Sequence, residues 1–233
     1  MSKTSRALAA LAALSLALTG CTAKADTPSP AASDTFPPAE QLLGEGALAM
    51  AGVKTAHFAL SVDGKIPNVP VRSAEGDLTR EGAAKGKATI EQLGLTIEGE
   101  FIVVNQKLYF KGPTGPFQEI PLALAASVYD PSAILDPAKG VAKLLSAAKN
   151  PKVLAVEKVE GADAYKISLE TDPVSLAAII PGAPTGVTAL LWLDVATKKL
   201  VKGEFTIPGS DGTGGKVLAT FTKYDAPVTI SAP

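Results

Sequence analysis

The chain has 233 residues and a formal charge of −1, from 22 basic and 23 acidic side chains, with one histidine and one cysteine. Those counts exclude a disulfide framework, a histidine–cysteine metal cluster and the basic excess of a nucleic-acid binder. With 46% apolar residues, it is long and apolar enough to bury one sizeable core without covalent staples.

Lys3 and Arg6 precede an apolar run from Ala7 to about Leu18, and Leu18-Thr19-Gly20-Cys21 closes that run with small residues and the cysteine. This order predicts a lipoprotein signal peptide over residues 1–20, too short to remain as a membrane-spanning helix. Cys21 is then the first residue of the mature chain and its thiol the lipidation site. Loss of Lys3 and Arg6 takes the side-chain charge to −3. The expected location is the outer face of the cell inner membrane, held by acyl chains, since no polybasic cluster lies beside the anchor. Residues 21–38 read CTAKADTPSPAASDTFPP, too polar and proline-rich to bury a core, and are expected to form a flexible tether. Residues 39–233 are expected to form one folded domain.

From Ala39 the residues Leu42, Leu43, Ala47, Met50 and Ala51 recur at helical spacing, weakened by Gly44 and Gly46. Alternation then takes over, with Phe58, Leu60 and Val62 on one face of a strand and His57, Ser61 and Asp63 on the other. Further strands are predicted over 69–79, 86–93, 95–104 and 107–111. A second set covers 152–159, 164–170, 187–194, 199–207, 216–224 and 228–231. Between the sets, residues 112–128 hold three prolines and read as a long apolar loop rather than a strand. Asp130-Pro131, Asp136-Pro137 and Asp172-Pro173 each place a capping carboxylate before a proline and predict helix starts. Val141, Leu144, Leu145 and Ala148 then form one helical stripe, and Leu176, Ile179 and Ile180 follow the third start.

About eleven strands served by three or four short helices leave apolar sheet uncovered unless the sheet curls around the helices. Whether the enclosed space is filled or left as an apolar cavity is open on pattern alone. If a cavity exists, alternation selects its wall. Ala88 and Ile90 share a face of one strand, and Leu95, Ile97, Phe101 and Val103 share a face of the next. The helical residues Val141, Leu144, Leu145 and Ile179 complete the candidate lining, with Trp192 from a strand that is apolar on both faces.

Other chemistry finds little support. Gly209 to Val217 is similar to a phosphate-binding loop, but Ser210 replaces its first glycine and Val217 its hydroxyl residue. His57 lies on a polar strand face and no Gly-x-Ser-x-Gly elbow occurs, so no catalytic residue is assigned and no enzyme, cofactor or metal is expected. Asp130 and Asp136 read as caps rather than paired acids. The uncharged run 174–193 is cut by Pro181, Gly182 and Pro184, which argues against a membrane span.

Several stretches in order, Gly64-Lys65-Ile66-Pro67, Gly76-Asp77-Leu78-Thr79, Leu108-Tyr109, Val128 to Pro137, Gly140 to Leu145 and Leu191-Trp192-Leu193, resemble the LppX/LprAFG family of mycobacterial lipoproteins from Ala39 to the C-terminus. The resemblance implies an α+β fold, a curved antiparallel half-barrel sheet wrapped around a few helices with an apolar cavity between them. It also implies a lipid carrier taking acyl chains of triacylated glycolipids or triacylglycerol from the inner membrane toward the outer envelope, with a major-facilitator transporter as partner. The competing reading is a filled-core module that docks on a transporter or envelope assembly.

Overall fold

The computed structural model describes residues 36–64, 66, 69–92, 94–122, 133–180, 182–209 and 214–233. The predicted signal peptide, Cys21, most of the tether and the Asp130-Pro131 cap lie outside the described residues.

Helix α1 spans Ala39–Gly52 and is followed by β1 (Thr55–Gly64), β2 (Val71–Thr79), β3 (Ala84–Gln92), β4 (Leu95–Val104), β5 (Lys107–Lys111) and β6 (Gln118–Pro121). After α2 (Val141–Ser146) come β7 (Lys149–Val159), β8 (Ala162–Glu170), α3 (Pro173–Ala177), β9 (Thr188–Asp194), β10 (Leu200–Ile207) and β11 (Gly215–Thr222). All eleven strands join one antiparallel sheet in the order β6-β5-β4-β3-β2-β1-β11-β10-β9-β8-β7. The chain thus enters at the centre, meanders to one edge, crosses to the other and returns until β11 pairs with β1. The sheet stays open, with β6 and β7 at its edges.

Two expectations change here. Gln118–Pro121, read as loop, is the edge strand β6, with Leu108 opposite Ile120; its one proline, Pro121, is tolerated because an edge strand needs partners on one side only. Residues 228–231, read as a strand, carry no strand. Both β1 and β11 already have two neighbours, so no free edge lies beside the end of β11. The tail is instead tied by single contacts, Thr55 Oγ1 donating to Ala226 O at 2.7 Å and Lys85 Nζ to Thr229 O at 3.0 Å.

The helices pack on each other, and their buried residues share one core with Leu78 and Val103 as well as Leu191 and Leu193. In α1 the buried Leu42, Leu43 and Met50 face inward, and the guanidinium of Arg80 satisfies the carbonyls of Ala51 and Val53 at its end. Gly46, a weak helix former by composition, is where α1 touches its surroundings. A Cβ there would lie 3.0 Å from Leu193 Cδ1 and 3.2 Å from Lys198 O. At Asp136-Pro137 the aspartate accepts from Ala138 N–H at 2.7 Å and caps a turn, while α2 starts at Val141 rather than Pro137. Asp172 caps α3 as predicted, accepting from Ser175 N–H at 3.1 Å with Pro173 in the first turn. That hydrogen bond, Ser175 Oγ and Lys149 hold the Asp172 carboxyl below its ordinary range.

Candidate functional site

The two faces of the sheet follow from register. Leu78, Val103, Leu191 and Leu193 belong to the buried core with the helices, so every residue in phase with them points inward. Across β8–β10 that inward face is buried. Ile167, Leu191, Leu193, Leu200 and Ile207 are each 1% exposed or less and pack in one cluster with Leu42, Met50, Leu144 and Leu145.

On the β2–β5 side the same face has a different texture. Ala74, Ala88 and Gly99 stand in one cross-strand row, and Gly76, Gly86, Phe101 and Phe110 in the next, so the bulk lies at the β4–β5 end, where the Phe110 ring covers Gly99 with Cζ 2.4 Å from the position a Cβ would take. At Gly76 and Gly86 the strands approach so closely that a Cβ would fall 2.1 Å from Lys85 O and 1.9 Å from Glu75 O respectively. Glycine with no side chain permits that approach, as expected where a sheet bends sharply.

The structure brings six of the candidate residues together. Ile90 is opposite Ile97, Ala88 opposite Gly99, and Ala84 opposite Val103, so Ala88, Ile90, Leu95, Ile97, Phe101 and Val103 share the inward face of β3 and β4. Exposure falls along β4 from 67% at Leu95, through half-buried Ile97 and Phe101, to 4% at Val103. Val141, Leu144 and Leu145 sit deeper, buried in the core of α2, and Ile179 is half-buried against that core after α3.

Trp192 is a correction. It pairs with Lys166 and Lys202, on the face opposite Leu191 and Leu193, and so turns away from the helices. It is nevertheless 3% exposed, because Lys202 Nζ lies 4.3 Å and Lys166 Nζ 5.2 Å from its ring and their stems cover it. Its Nε1–H donates to Glu157 Oε2 at 2.9 Å, while Lys166 Nζ donates to Glu157 Oε1 at 2.9 Å. The Lys166 hydrogen bond and then the indole hydrogen bond hold the Glu157 carboxyl below its ordinary range. Lysines paired opposite a tryptophan are the signal that strand alternation alone did not use.

The same outward face carries an open cleft of about 470 Å³ over β1–β4, lined by His57, Asp77, Lys85, Lys87, Glu100 and Phe117 among others. His57 Nδ1 lies 2.8 Å from Asp77 Oδ1, and the charges alternate across strands, which stabilises sheet pairing without a nucleophile in place. Among the described residues no group of three or more His, Cys, Asp or Glu side chains is arranged to hold a metal. No described helix is long and apolar enough to cross a membrane.

A family model described as LppX_LprAFG lipoprotein matches residues 38–230, almost the whole of the described region. The chain belongs to the LppX/LprAFG lipoproteins. The lipoarabinomannan carrier protein LprG of Mycobacterium tuberculosis H37Rv is 28% identical over 98% of this chain and 95% of its own length, and that of Mycolicibacterium hassiacum is 31% identical over 85% of each. The putative diacylated glycolipid transporter LprF of Mycobacterium bovis is 28% identical over 92% of this chain and 85% of its own. Among solved structures, LprF from M. bovis superposes with a TM-score of 0.75 at 25% identity, covering 85% of this chain and 98% of that one. LppX from M. tuberculosis shares the fold with a TM-score of 0.63 at 22% identity, covering 83% and 98%. As an LppX/LprAFG lipoprotein the chain has the large open antiparallel sheet and few helices of these neighbours.

Proposed function

We infer that this LppX/LprAFG lipoprotein binds the acyl chains of a triacylated glycolipid or of triacylglycerol on the inward face of β2–β5 and carries them from the inner membrane toward the outer envelope, without catalysis. The observation that supports this reading is the contrast between the two halves of one apolar face. The inward residues of β8–β10 such as Ile167, Leu191, Leu193 and Ile207 are buried in the core with the helices, whereas Ala88, Ile90, Ile97 and Phe101 are apolar and only half-buried, with Ala74, Gly76, Gly86 and Gly99 as small neighbours among them. Small residues in a wall leave room for a ligand where large ones would fill it.

Energetics set how such a carrier works. Taking an acyl chain of about fifteen methylenes out of water is worth roughly 12 kcal/mol, so three chains would exceed the practical ceiling of noncovalent affinity near 20 kcal/mol. The relevant reference is therefore a bilayer, against which transfer into the protein is nearly balanced. No nucleotide-binding motif is present to drive a cycle; direction comes from an acceptor or from a partner such as a major-facilitator transporter. In the assay, the anchored protein is expected to speed movement of labelled triacylglycerol from donor to acceptor vesicles. A transfer rate equal to that of vesicles alone would overturn the carrier reading.

Cys21 supplies the anchor in this account, with residues 22–38 as tether. Cys21→Ala is expected to leave the domain folded and move the protein from the membrane to the soluble fraction. Equal membrane recovery of the mutant, with the acyl group shown absent by mass, would contradict the anchor.

A further inference from the structure

The β3–β4 hairpin has two chemically distinct sides. Inward, Ala88, Ile90, Ile97 and Leu95 form an apolar strip, joined by Val71, which pairs with Ile90. Outward stand Thr89, Glu91, Thr96 and Glu98, with Arg72 bridging Glu91 at 2.7 Å. Leu95, two residues beyond Ile97 toward the turn at Gly94, is 67% exposed, and the strip becomes steadily more buried until Val103 in the core. The hairpin thus carries a continuous apolar path from its exposed tip to the interior.

We propose that this hairpin end, with Leu95 at its tip, is the edge the protein presses into a lipid bilayer, so that acyl chains pass from the membrane along Leu95, Ile97 and Ile90 to the inward face. This rests on the carrier reading. Three observations favour a bilayer as the occupant. The sheet order places β3 and β4 between β2 and β5, so their backbones are already paired and offer no edge for a second copy to extend. The exposed contact is aliphatic, bordered by carboxylates on the opposite side, a sidedness that suits the hydrocarbon–headgroup boundary. The chain outside the described region also ends within reach, since residues 22–35 extend at most about 50 Å between Cys21 and Phe36. With no lysine on the strip, adhesion is apolar and independent of anionic lipid.

The native chain has one tryptophan, Trp192, buried on the other face, which makes a clean background for a fluorescence test. Full-length acylated Leu95→Trp is reconstituted in phosphatidylcholine vesicles whose acyl chains carry bromine. The position is exposed, so the substitution leaves packing intact. Its added emission is expected to shift to the blue and to lose about half its intensity, as for an indole 5–10 Å into the interface, while the native chain and Glu98→Trp are not quenched. Absence of quenching in Leu95→Trp, or equal quenching in Glu98→Trp, overturns the proposal. A blue shift that instead follows protein concentration without vesicles marks a second copy as the occupant and overturns it too. Mass spectrometry of lipid extracted from the same samples keeps the two readings apart: bound lipid with an unquenched tip removes the edge and leaves the carrier, whereas a quenched tip with no bound lipid removes the carrier and leaves the edge.

Discussion

Ala88→Trp is expected to strip the protein of copurifying lipid while leaving it folded. Ala88 is half-buried, its cross-strand neighbours are Ala74 and Gly99, and the one large side chain beside them is the half-buried Phe110, whose ring lies over Gly99. An indole placed there occupies the space proposed for acyl chains. Bound lipid should fall by about tenfold or more, the effect of removing roughly 1.4 kcal/mol or more of binding. The melting temperature should move by no more than about 3 °C, since a domain of this size shifts about 2–4 °C per kcal/mol. In a filled core the same change would overpack and cost about 1–3 kcal/mol with no lipid to lose. Unchanged lipid content, or a large fall in melting temperature, contradicts the assignment of this wall.

Gly86→Ala is expected to do the reverse, destabilising the fold through a single methyl group. The new Cβ would lie 1.9 Å from Glu75 O and 2.8 Å from Gly76 Cα, both backbone atoms, so no side-chain rotation relieves the clash and β2 must part from β3. A loss of about 3–5 kcal/mol is expected, in the range of severe overpacking and broken strand pairing. Gly44→Ala in α1 is the matched control, because nothing lies within 4 Å of its Cβ position and a helix interior gains about 1 kcal/mol from the same exchange. Urea unfolding of the two variants checks both signs. A Gly86→Ala protein as stable as the native one would show that the glycine pair is not the close seam of the sheet.

Local pattern made most of the strands legible, because period-two alternation survives wherever one face is buried. The inward set on β3 and β4 is a case in point, with Ile90 and Ile97 paired as their phases required. The pattern does not show long-range pairing. That the first strand pairs with the last, placing both at the sheet centre, has no local signature, and it is this pairing that denies residues 228–231 a neighbour. The short β6 escaped notice because four residues beside prolines cannot display a period. Trp192 shows a different limit. Leu190 to Leu193 are apolar on both sides, so alternation fixes which residues share a face but not which face meets the helices; lysine stems from β8 and β10 do the covering that a second layer of protein would otherwise do. Asp136-Pro137, read as a helix start, caps only a turn, and the helix begins once Gly140 has passed the carbonyls of Ala133 and Ile134, where a Cβ would fall 2.3 and 2.1 Å from oxygen.

The membership of the LppX/LprAFG lipoproteins and the apolar texture of β2–β5 lead to one claim, that this face holds acyl lipid. The direct measurement is the lipid content of the protein itself. A Cys21→Ala chain, which carries no covalent acyl group, is purified, extracted with organic solvent and the extract analysed by mass spectrometry beside the Ala88→Trp form of the same chain. The account predicts acylated lipid near one molecule per protein in the first and strong depletion in the second. Protein free of lipid in the first sample, or equal lipid in both, would contradict it.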